Sequence, residues 1–152
     1  AFNLGYISFE LPDGWEKDED ETSYDEIVFG PNGDALSFGY ISVAKDYIAD
    51  DGMIDDMLAD LEYTTSYFEE AFGDEVTDLV VEDAGETFLG KTIRMEMLLE
   101  DGDGYDIGIF YLAQDGYTQY AVYGVVWAGE GEDAEREVRE ALDMLFETGQ
   151  LR

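Results

Sequence analysis

Five of the six Asp-Gly and Asn-Gly dipeptides in this chain predict turns between short segments, and they constrain its fold more than any other feature. They are Asp13-Gly14, Asn32-Gly33, Asp101-Gly102, Asp103-Gly104 and Asp115-Gly116. Runs of β-branched and aromatic residues lie between several of them. Such an arrangement is typical of β-hairpins, because tight hairpin turns need residues that adopt positive φ. The sequence therefore predicts a sheet made largely of antiparallel neighbours.

The first half of the chain predicts one strand and one hairpin. The strand spans residues 6–12, where apolar side chains at 7, 9 and 11 alternate with polar ones. The acidic residues 16–23 are predicted to form a solvated connection. With Asn32-Gly33 as the hairpin turn, Phe29 lies opposite Leu36 and Ile27 lies opposite Phe38.

The second half predicts a strand near residues 76–81 and a long β region over residues 86–127. A turn about Asp115-Gly116 places Tyr111 opposite Tyr120 and Ile109 opposite Val122. Both faces of these strands are largely apolar, which indicates that both faces of the sheet are covered.

Two segments change to helical periodicity. In residues 50–73, apolar side chains recur every three or four residues, at Ile54, Met57, Leu58, Leu61, Phe68 and Phe72. Asp50 or Asp51 can cap this helix, and Gly73 can end it. In residues 131–149 the inner face consists of Val138, Ala141, Leu142 and Leu145. We therefore predict one α+β domain over residues 1–152, an antiparallel sheet of about six or seven strands with helices on both faces.

The charge of the chain excludes several function classes. There are 39 acidic and 7 basic residues, a formal net charge of −32, with no Cys and no His. Nucleic acids and anionic membranes are repelled, and thiolate or His metal sites and His-based catalysis are absent. Adaptation to high salt explains the acidity, and so does a cationic partner or a divalent ion. The chain starts at Ala1 rather than Met, which suggests a processed start with a secretion signal or lipid anchor upstream.

The sequence GETFLGKT, residues 85–92, matches the Walker A phosphate loop. A phosphate loop needs a helix directly after it, whereas Ile93, Met95 and Met97 alternate with Arg94 and Glu96 as in a strand. We therefore predict a strand with a bend at Gly90, and no nucleotide binding.

Acidic residues at 101–106, DGDGYD, resemble the start of a calcium loop. Positions 5, 6 and 12 of that loop depart from the EF-hand pattern, so the primary prediction is a hairpin turn without a cofactor. A weak calcium site formed by Asp101, Asp103 and Asp106 is the alternative.

Catalytic groups do not stand out. Carboxylate pairs suited to glycoside hydrolysis can be drawn anywhere among so many acids, and no G-x-S-x-G motif exists. Tyrosines around the last hairpin fit a pleated surface, and Tyr105 and Tyr117 are the candidates for a ligand or partner surface. The lack of a catalytic motif and the candidate tyrosine surface both favour binding over catalysis.

The whole chain resembles the PsbP-like/Mog-type fold, specifically its small secreted bacterial lipoproteins. The segment ISFELPDGW (residues 7–15) resembles the opening strand and turn of that family. The central meander begins at ETFLGKT, and REALDMLFET (residues 139–148) resembles the closing helix. The resemblance implies a binding or accessory protein. The family has no catalytic motif whose residues could be matched to this chain.

We therefore expect a non-enzymatic, extracytoplasmic protein at the cell surface, without a membrane span, that binds a protein partner of positive charge. The alternative is a module that binds a divalent cation or small ligand through its acidic hairpin loops.

Overall fold

Ten strands and three helices make up the chain, and the computed structural model describes all of residues 1–152. In chain order they are β1 (Phe2–Asn3), β2 (Ile7–Phe9), β3 (Trp15–Lys17), β4 (Glu26–Pro31), β5 (Gly39–Tyr47), α1 (Met53–Ala59), α2 (Leu61–Phe72), β6 (Val76–Thr87), β7 (Gly90–Asp101), β8 (Gly104–Asp115), β9 (Thr118–Val126), α3 (Glu132–Thr148) and β10 (Gln150–Leu151). A short 3-10 helix, Gly73–Glu75, joins α2 to β6. None of the helices is long and apolar enough to cross a membrane.

Seven strands form one antiparallel sheet in the order β3-β4-β5-β9-β8-β7-β6. The predicted α+β class and strand number are confirmed. Strands β6 to β9 form a meander of neighbours, because each joins the next through a short turn. Strand β9 returns to the middle of the sheet and pairs with β5. A separate sheet, β1-β2-β10, brings the two ends of the chain together and was not predicted.

Helix α3 covers one face of the sheet and closes the larger core. Its predicted inner residues are all buried: Val138, Ala141, Leu142 and Leu145. The helix packs on β5, β9 and β2. Gly39 on β5 permits this close approach, because a Cβ there would lie 2.5 Å from the Val125 carbonyl oxygen and 2.8 Å from Val138 Cγ2. We call this side of the sheet the α3 face.

Helices α1 and α2 cover part of the opposite face, so helices on both faces are confirmed. They pack on β6, β7 and β8 over Ile54, Ile93, Met95 and Met97. The prediction of one continuous helix is wrong. The chain breaks at Asp60, whose carboxylate accepts a hydrogen bond from the Tyr63 amide and caps α2. The cap expected at Asp50 or Asp51 is also wrong, since Gly52 precedes α1 without a side-chain cap.

The predicted register of the first hairpin is wrong by several residues. Phe29 pairs with Ile41 and Ile27 pairs with Val43, so residues 32–38 form a loop rather than a tight turn. The cause is Asp18, which is buried and accepts a hydrogen bond from the Ala35 amide at 2.8 Å. This bond ties the loop to the segment after β3 and keeps it out of the hairpin.

The expected solvated connection at residues 16–23 is right for exposure, since six of these eight residues are exposed, but it missed a short strand and the buried Asp18. Residues 15–17 form β3, which pairs with the end of β4. Asp18 then accepts hydrogen bonds from the amides of Asp20 and Glu21, at 3.1 and 3.3 Å. The first strand also ends earlier than expected, at Phe9.

The last hairpin turns one residue later than predicted. Asp115 pairs with Thr118, so Tyr111 lies opposite Val122 rather than Tyr120, and Ile109 lies opposite Gly124 rather than Val122. Because each partner shifts by two positions, every side chain keeps its predicted face. The apolar pattern therefore determined the faces correctly while the turn determined the register.

Candidate functional site

A small pocket opens on the face of the sheet opposite α3, beyond the part that α1 and α2 cover. It has a volume of about 200 Å³ and is lined by Glu21, Glu26, Val28, Ala35, Leu36, Tyr40 and Trp127. We call it the Glu26 pocket. Its strands are β4 and β5, with the end of β9 alongside.

Strand register shows why these side chains share a face. Phe110 pairs with Tyr123, Tyr123 with Ser42, and Ser42 with Val28, across β8, β9, β5 and β4. Directly opposed residues point to the same side of a sheet. Phe110 packs beneath α1 and α2, so this whole row lies on their side. Glu26 and Tyr40 are two residues from Val28 and Ser42, and they share that side.

Aromatic rings form one wall of the Glu26 pocket and continue beneath it. The Tyr40 ring centroid lies 5.3 Å from that of Trp127 and 6.1 Å from that of Tyr123, and Tyr123 lies 5.1 Å from Phe110. The Trp127 indole donates a hydrogen bond to the Ala35 carbonyl at 2.8 Å. This bond fixes the indole plane at the edge of the pocket, so the wall is preorganised.

Glu26 supplies the carboxylate of the pocket and is held by two hydroxyl donors. Ser42 Oγ donates to Glu26 Oε1 at 2.6 Å, and the Tyr123 hydroxyl donates to the same oxygen. The second oxygen, Oε2, makes no hydrogen bond within the chain. No polar side-chain atom without a partner is buried, so Oε2 is accessible to solvent. One carboxylate oxygen is therefore available to a ligand in a fixed position.

The two tyrosines stay protonated at neutral pH. Burial raises the pKa of the Tyr123 hydroxyl, and its hydrogen bond to Glu26 raises that pKa further. Burial also raises the pKa of Tyr40, followed by the negative charges of Glu26 and Asp106. Both shifts favour the neutral phenol, so these side chains act as hydrogen-bond donors and aromatic surfaces.

No Lys or Arg of the chain neutralises the carboxylates of the Glu26 pocket, Glu21 and Glu26. Five of the seven basic residues form ion pairs with other acids, at Lys17, Lys91, Arg94, Arg136 and Arg139. Lys45 lies 4.5 Å from the Tyr6 ring centroid, and Arg152 donates to Ser8. The Glu26 pocket therefore combines negative potential with aromatic surface and lacks an internal counterion.

Binding fits this arrangement better than catalysis. Ser42 is fully buried and its hydroxyl is already donated to Glu26, which removes it as a nucleophile. No other hydroxyl stands beside a free base in the pocket. Aromatic faces and a carboxylate together attract cations, by the ring quadrupole and by direct charge.

A larger groove, of about 460 Å³, lies between the end of α3 and β6 and β7, and it is lined by one basic residue, Arg94, and three acidic ones, Glu86, Asp143 and Glu147. Arg94 donates to Glu82 at 3.1 Å, to Glu96 at 3.3 Å and to the Tyr111 hydroxyl at 3.1 Å. Each of its three nitrogens thus donates a hydrogen bond within the protein. The groove thus has a cation of the chain in its lining, whereas the Glu26 pocket has none.

The three predicted calcium ligands lie at the β7–β8 turn in different environments. Asp101 and Asp103 are exposed, whereas Asp106 is 8% exposed and accepts a hydrogen bond from the Ala128 amide at 2.8 Å. Burial raises the pKa of Asp106, and the neighbouring Asp101 raises it further. The structure contains no group of three or more acidic side chains placed to hold a metal ion. The calcium site stays a prediction.

Tyr105 and Tyr117 do not come together. They lie at the two ends of β8, a strand of 12 residues, and are thus roughly 35–40 Å apart along the sheet. Tyr105 is 50% exposed and Tyr117 is 48% exposed. Tyr117 stacks on Tyr47 with ring centroids 6.0 Å apart. Each could contact a partner separately, but one ligand site cannot include both.

The GETFLGKT segment forms a β-hairpin, which was not predicted, and the strand predicted after Thr92 is confirmed. Thr87 pairs with Gly90 across a two-residue turn, and β7 follows where a phosphate loop would continue as a helix. Gly90 has a φ of 101°, which supports the predicted bend. Lys91 forms an ion pair with Asp55 at 3.0 Å. The segment is structural.

Sequence reasoning missed Glu26, Tyr40 and Trp127 as site residues. The predicted hairpin register placed Glu26 far from Ser42, so their contact could not be seen. A usable signal was present in β5, where Tyr40 and Ser42 alternate with the apolar Ile41 and Val43. Polar side chains at alternate positions of a central strand indicate a face that is not fully apolar.

Comparison with known proteins identifies the fold. No protein-family model and no curated protein sequence matches the chain. Among solved structures, the chain is similar to LpqN of Mycobacterium tuberculosis, which is described as involved in cell envelope biogenesis. The TM-score is 0.57 at 12% sequence identity, and the match covers 95% of this chain and 82% of LpqN. It is also similar to cyanobacterial PsbP (CyanoP) from Synechocystis sp. PCC 6803, with a TM-score of 0.54, 15% identity, and coverage of 99% and 95%.

A third similar structure is a protein from Bacteroides thetaiotaomicron VPI-5482, with a TM-score of 0.54 and 12% identity. The match covers 97% of this chain but 45% of that protein, so the chain spans less than half of its length. Identities this low show a shared fold alone. Together with the seven-stranded sheet and its helices, these similarities show that the chain has the PsbP-like fold.

Proposed function

We propose that this chain is a non-enzymatic, extracytoplasmic accessory protein that binds a partner protein with a positively charged surface. The observation that carries the proposal is the Glu26 pocket, where a carboxylate and aromatic rings meet without an internal counterion. A net charge of −32 supports it, because such a field attracts basic partners and repels acidic ones.

The extracytoplasmic location is supported by two similar structures. LpqN is described as involved in cell envelope biogenesis, and CyanoP as a cyanobacterial PsbP. A lipid anchor upstream of Ala1 and membership of the Mog-type lipoproteins remain predictions of the sequence. Fractionation of the source cells with an antibody against the chain tests location. Recovery in the cytoplasmic fraction would contradict the proposal.

The absence of enzymatic activity is tested separately from binding. The pocket has no nucleophile beside a base, so we expect no turnover on a broad hydrolase substrate panel. Turnover abolished by one carboxylate substitution, for example Glu26→Gln, would show that the chain is an enzyme.

Partner binding is tested with a lysine decapeptide in isothermal titration calorimetry at 0.15 M and 1 M NaCl. We expect measurable binding at low salt and loss at high salt, because exposed charges are screened over a few ångströms at 1 M. A glutamate decapeptide is the matched control and should not bind. Failure of the lysine peptide at 0.15 M would exclude a cationic partner.

Divalent-cation binding is the second candidate. Asp101 lies close enough to the buried Asp106 to raise its pKa, which marks this turn as a place where a cation would relieve repulsion. Thermal unfolding is measured with calcium, magnesium and sodium at equal ionic strength. A saturable rise with calcium alone, lost in Asp103→Ala, would support a calcium site. An equal rise with every salt would indicate screening.

A further inference from the structure

The Glu26 pocket has three properties that together specify its ligand. It is a concave site with apolar and aromatic walls, it holds a carboxylate in a fixed rotamer, and no Lys or Arg of the chain reaches it. Charge complementarity therefore requires a positively charged ligand.

We propose that the Glu26 pocket binds the ammonium group of a lysine side chain, with Tyr40 and Trp127 against its methylenes and Glu26 Oε2 as its hydrogen-bond acceptor. This inference rests on the proposed function, since the lysine belongs to the partner protein.

The walls match the two parts of a lysine side chain. The aromatic wall and the exposed Leu36 at the rim offer apolar contact to the four-carbon stem. Tyr40 and Trp127 form one aromatic surface beside Glu26, with ring centroids 5.3 Å apart and planes tilted by 43°, against which the stem and the adjoining ammonium pack. Glu26 and the exposed Glu21 supply the opposite charge at the mouth of the pocket.

Glu26 favours an ammonium over a guanidinium. A guanidinium gains most from two parallel hydrogen bonds to both oxygens of a carboxylate. Here Oε1 already accepts hydrogen bonds from Ser42 and Tyr123, so only Oε2 remains. A single acceptor suits the compact, rotatable ammonium of lysine, and arginine loses its geometric advantage.

The experiment follows the indole N–H resonances in two-dimensional NMR during titration with four small probes at constant ionic strength. The probes are Nα-acetyl-lysine amide, Nα-acetyl-arginine amide, Nα-acetyl-norleucine amide and tetramethylammonium chloride. The chain has two tryptophans, and Trp15 is buried in the larger core beneath α3. Only the Trp127 resonance should therefore move. We expect a saturable shift with the lysine probe, weaker binding of the arginine probe, and no shift with norleucine.

Two pairs of variants separate the pocket from the general charge of the surface. Glu26→Gln removes the charge but keeps an oxygen for Ser42 and Tyr123, and we expect about tenfold weaker lysine binding. Glu137→Gln, at an exposed unpaired position on α3, removes one charge on the opposite face and should change affinity little. Tyr40→Leu should weaken binding about two- to fivefold, and Tyr47→Leu, outside the pocket on the same strand, should not.

The outcomes separate this inference from the proposed function. Binding of the lysine decapeptide with equal affinity by wild type and Glu26→Gln would refute the pocket while leaving a cationic partner in place. Tighter binding of arginine than lysine would refute the single-acceptor argument. A shift with tetramethylammonium and none with the lysine probe would show a site for free methylated amines and overturn the assignment to lysine.

Discussion

The Asp18→Asn substitution tests how the loop of residues 32–38 is held beside the Glu26 pocket. One oxygen of Asp18 accepts from the buried Ala35 amide at 2.8 Å, and the other accepts from Asp20 and Glu21 at 3.1 and 3.3 Å. Asn has one acceptor oxygen and one donor group at these positions. Whichever way its amide turns, one side loses its acceptor and meets a second donor.

The magnitude follows from the group left unpaired. A buried amide without an acceptor costs about 1–3 kcal/mol, and hydrogen bonds to a charged acceptor lie at the upper part of that range. If the Asn oxygen turns away from Ala35, which is 2% exposed, water cannot replace it; if the oxygen stays on Ala35, the NH2 group faces the Asp20 and Glu21 amides instead. We therefore expect the free energy of unfolding to fall by about 1–3 kcal/mol in Asp18→Asn.

Urea unfolding in 0.5 M NaCl, followed by tryptophan fluorescence, measures this loss. Removing one negative charge from a chain of net charge −32 is itself stabilising, so the control is Glu137→Gln, which makes the same change at an exposed site. We expect the control to differ from wild type by at most about 0.5 kcal/mol. If both variants unfold at the same urea concentration, Asp18 does not hold the loop and the explanation of the shifted hairpin register is wrong.

Three further predictions concern charge and packing. Asp106→Asn should raise the melting temperature at pH 7, because the raised pKa of Asp106 means that its charged form destabilises the folded state. This advantage should vanish as the pH falls toward the ordinary pKa of Asp, where wild type is protonated too; a constant difference across pH would contradict it. Gly39→Ala should lower stability by about 1–3 kcal/mol in urea unfolding, because its Cβ would meet the Val125 carbonyl oxygen at 2.5 Å; unchanged stability would show that the strand can shift. Lys91→Ala should leave the urea midpoint unchanged, since its ion pair with Asp55 is exposed, and ATP should not raise the melting temperature of wild type; an ATP-dependent rise lost in the variant would restore the phosphate-loop hypothesis.

The Glu26 pocket depends on an incomplete helical layer. Helices α1 and α2 pack over β6, β7 and β8, and the row of aromatic residues continues past them onto β9 and β5. Phe110 is covered by the helices, whereas Tyr40 and Trp127 remain half-buried. The same face thus changes from a covered core to an open pocket within a few strands.

Local patterns in the sequence were enough for the longer strands, the terminal helix and the strand that follows Gly90, whereas the hairpin turn before Gly90 and the short strands β1, β3 and β10 were not predicted. Apolar residues at every second position of a strand, or at every third or fourth position of a helix, show which side of the element is apolar. That side is the one that becomes buried in a core. The faces of β8 and β9 were therefore right even where their register was not. The inner side of α3 was right for the same reason.

Register and the binding site were decided only by the tertiary structure. The hairpin between β4 and β5 depends on Asp18, which is far from the turn in sequence and bonds to Ala35 across the loop. The Glu26 pocket depends on that register, because it brings Glu26 to Ser42 and Tyr123. Sequence periodicity records which way a side chain points from its own strand, whereas contacts between strands also depend on long-range hydrogen bonds that no local pattern contains.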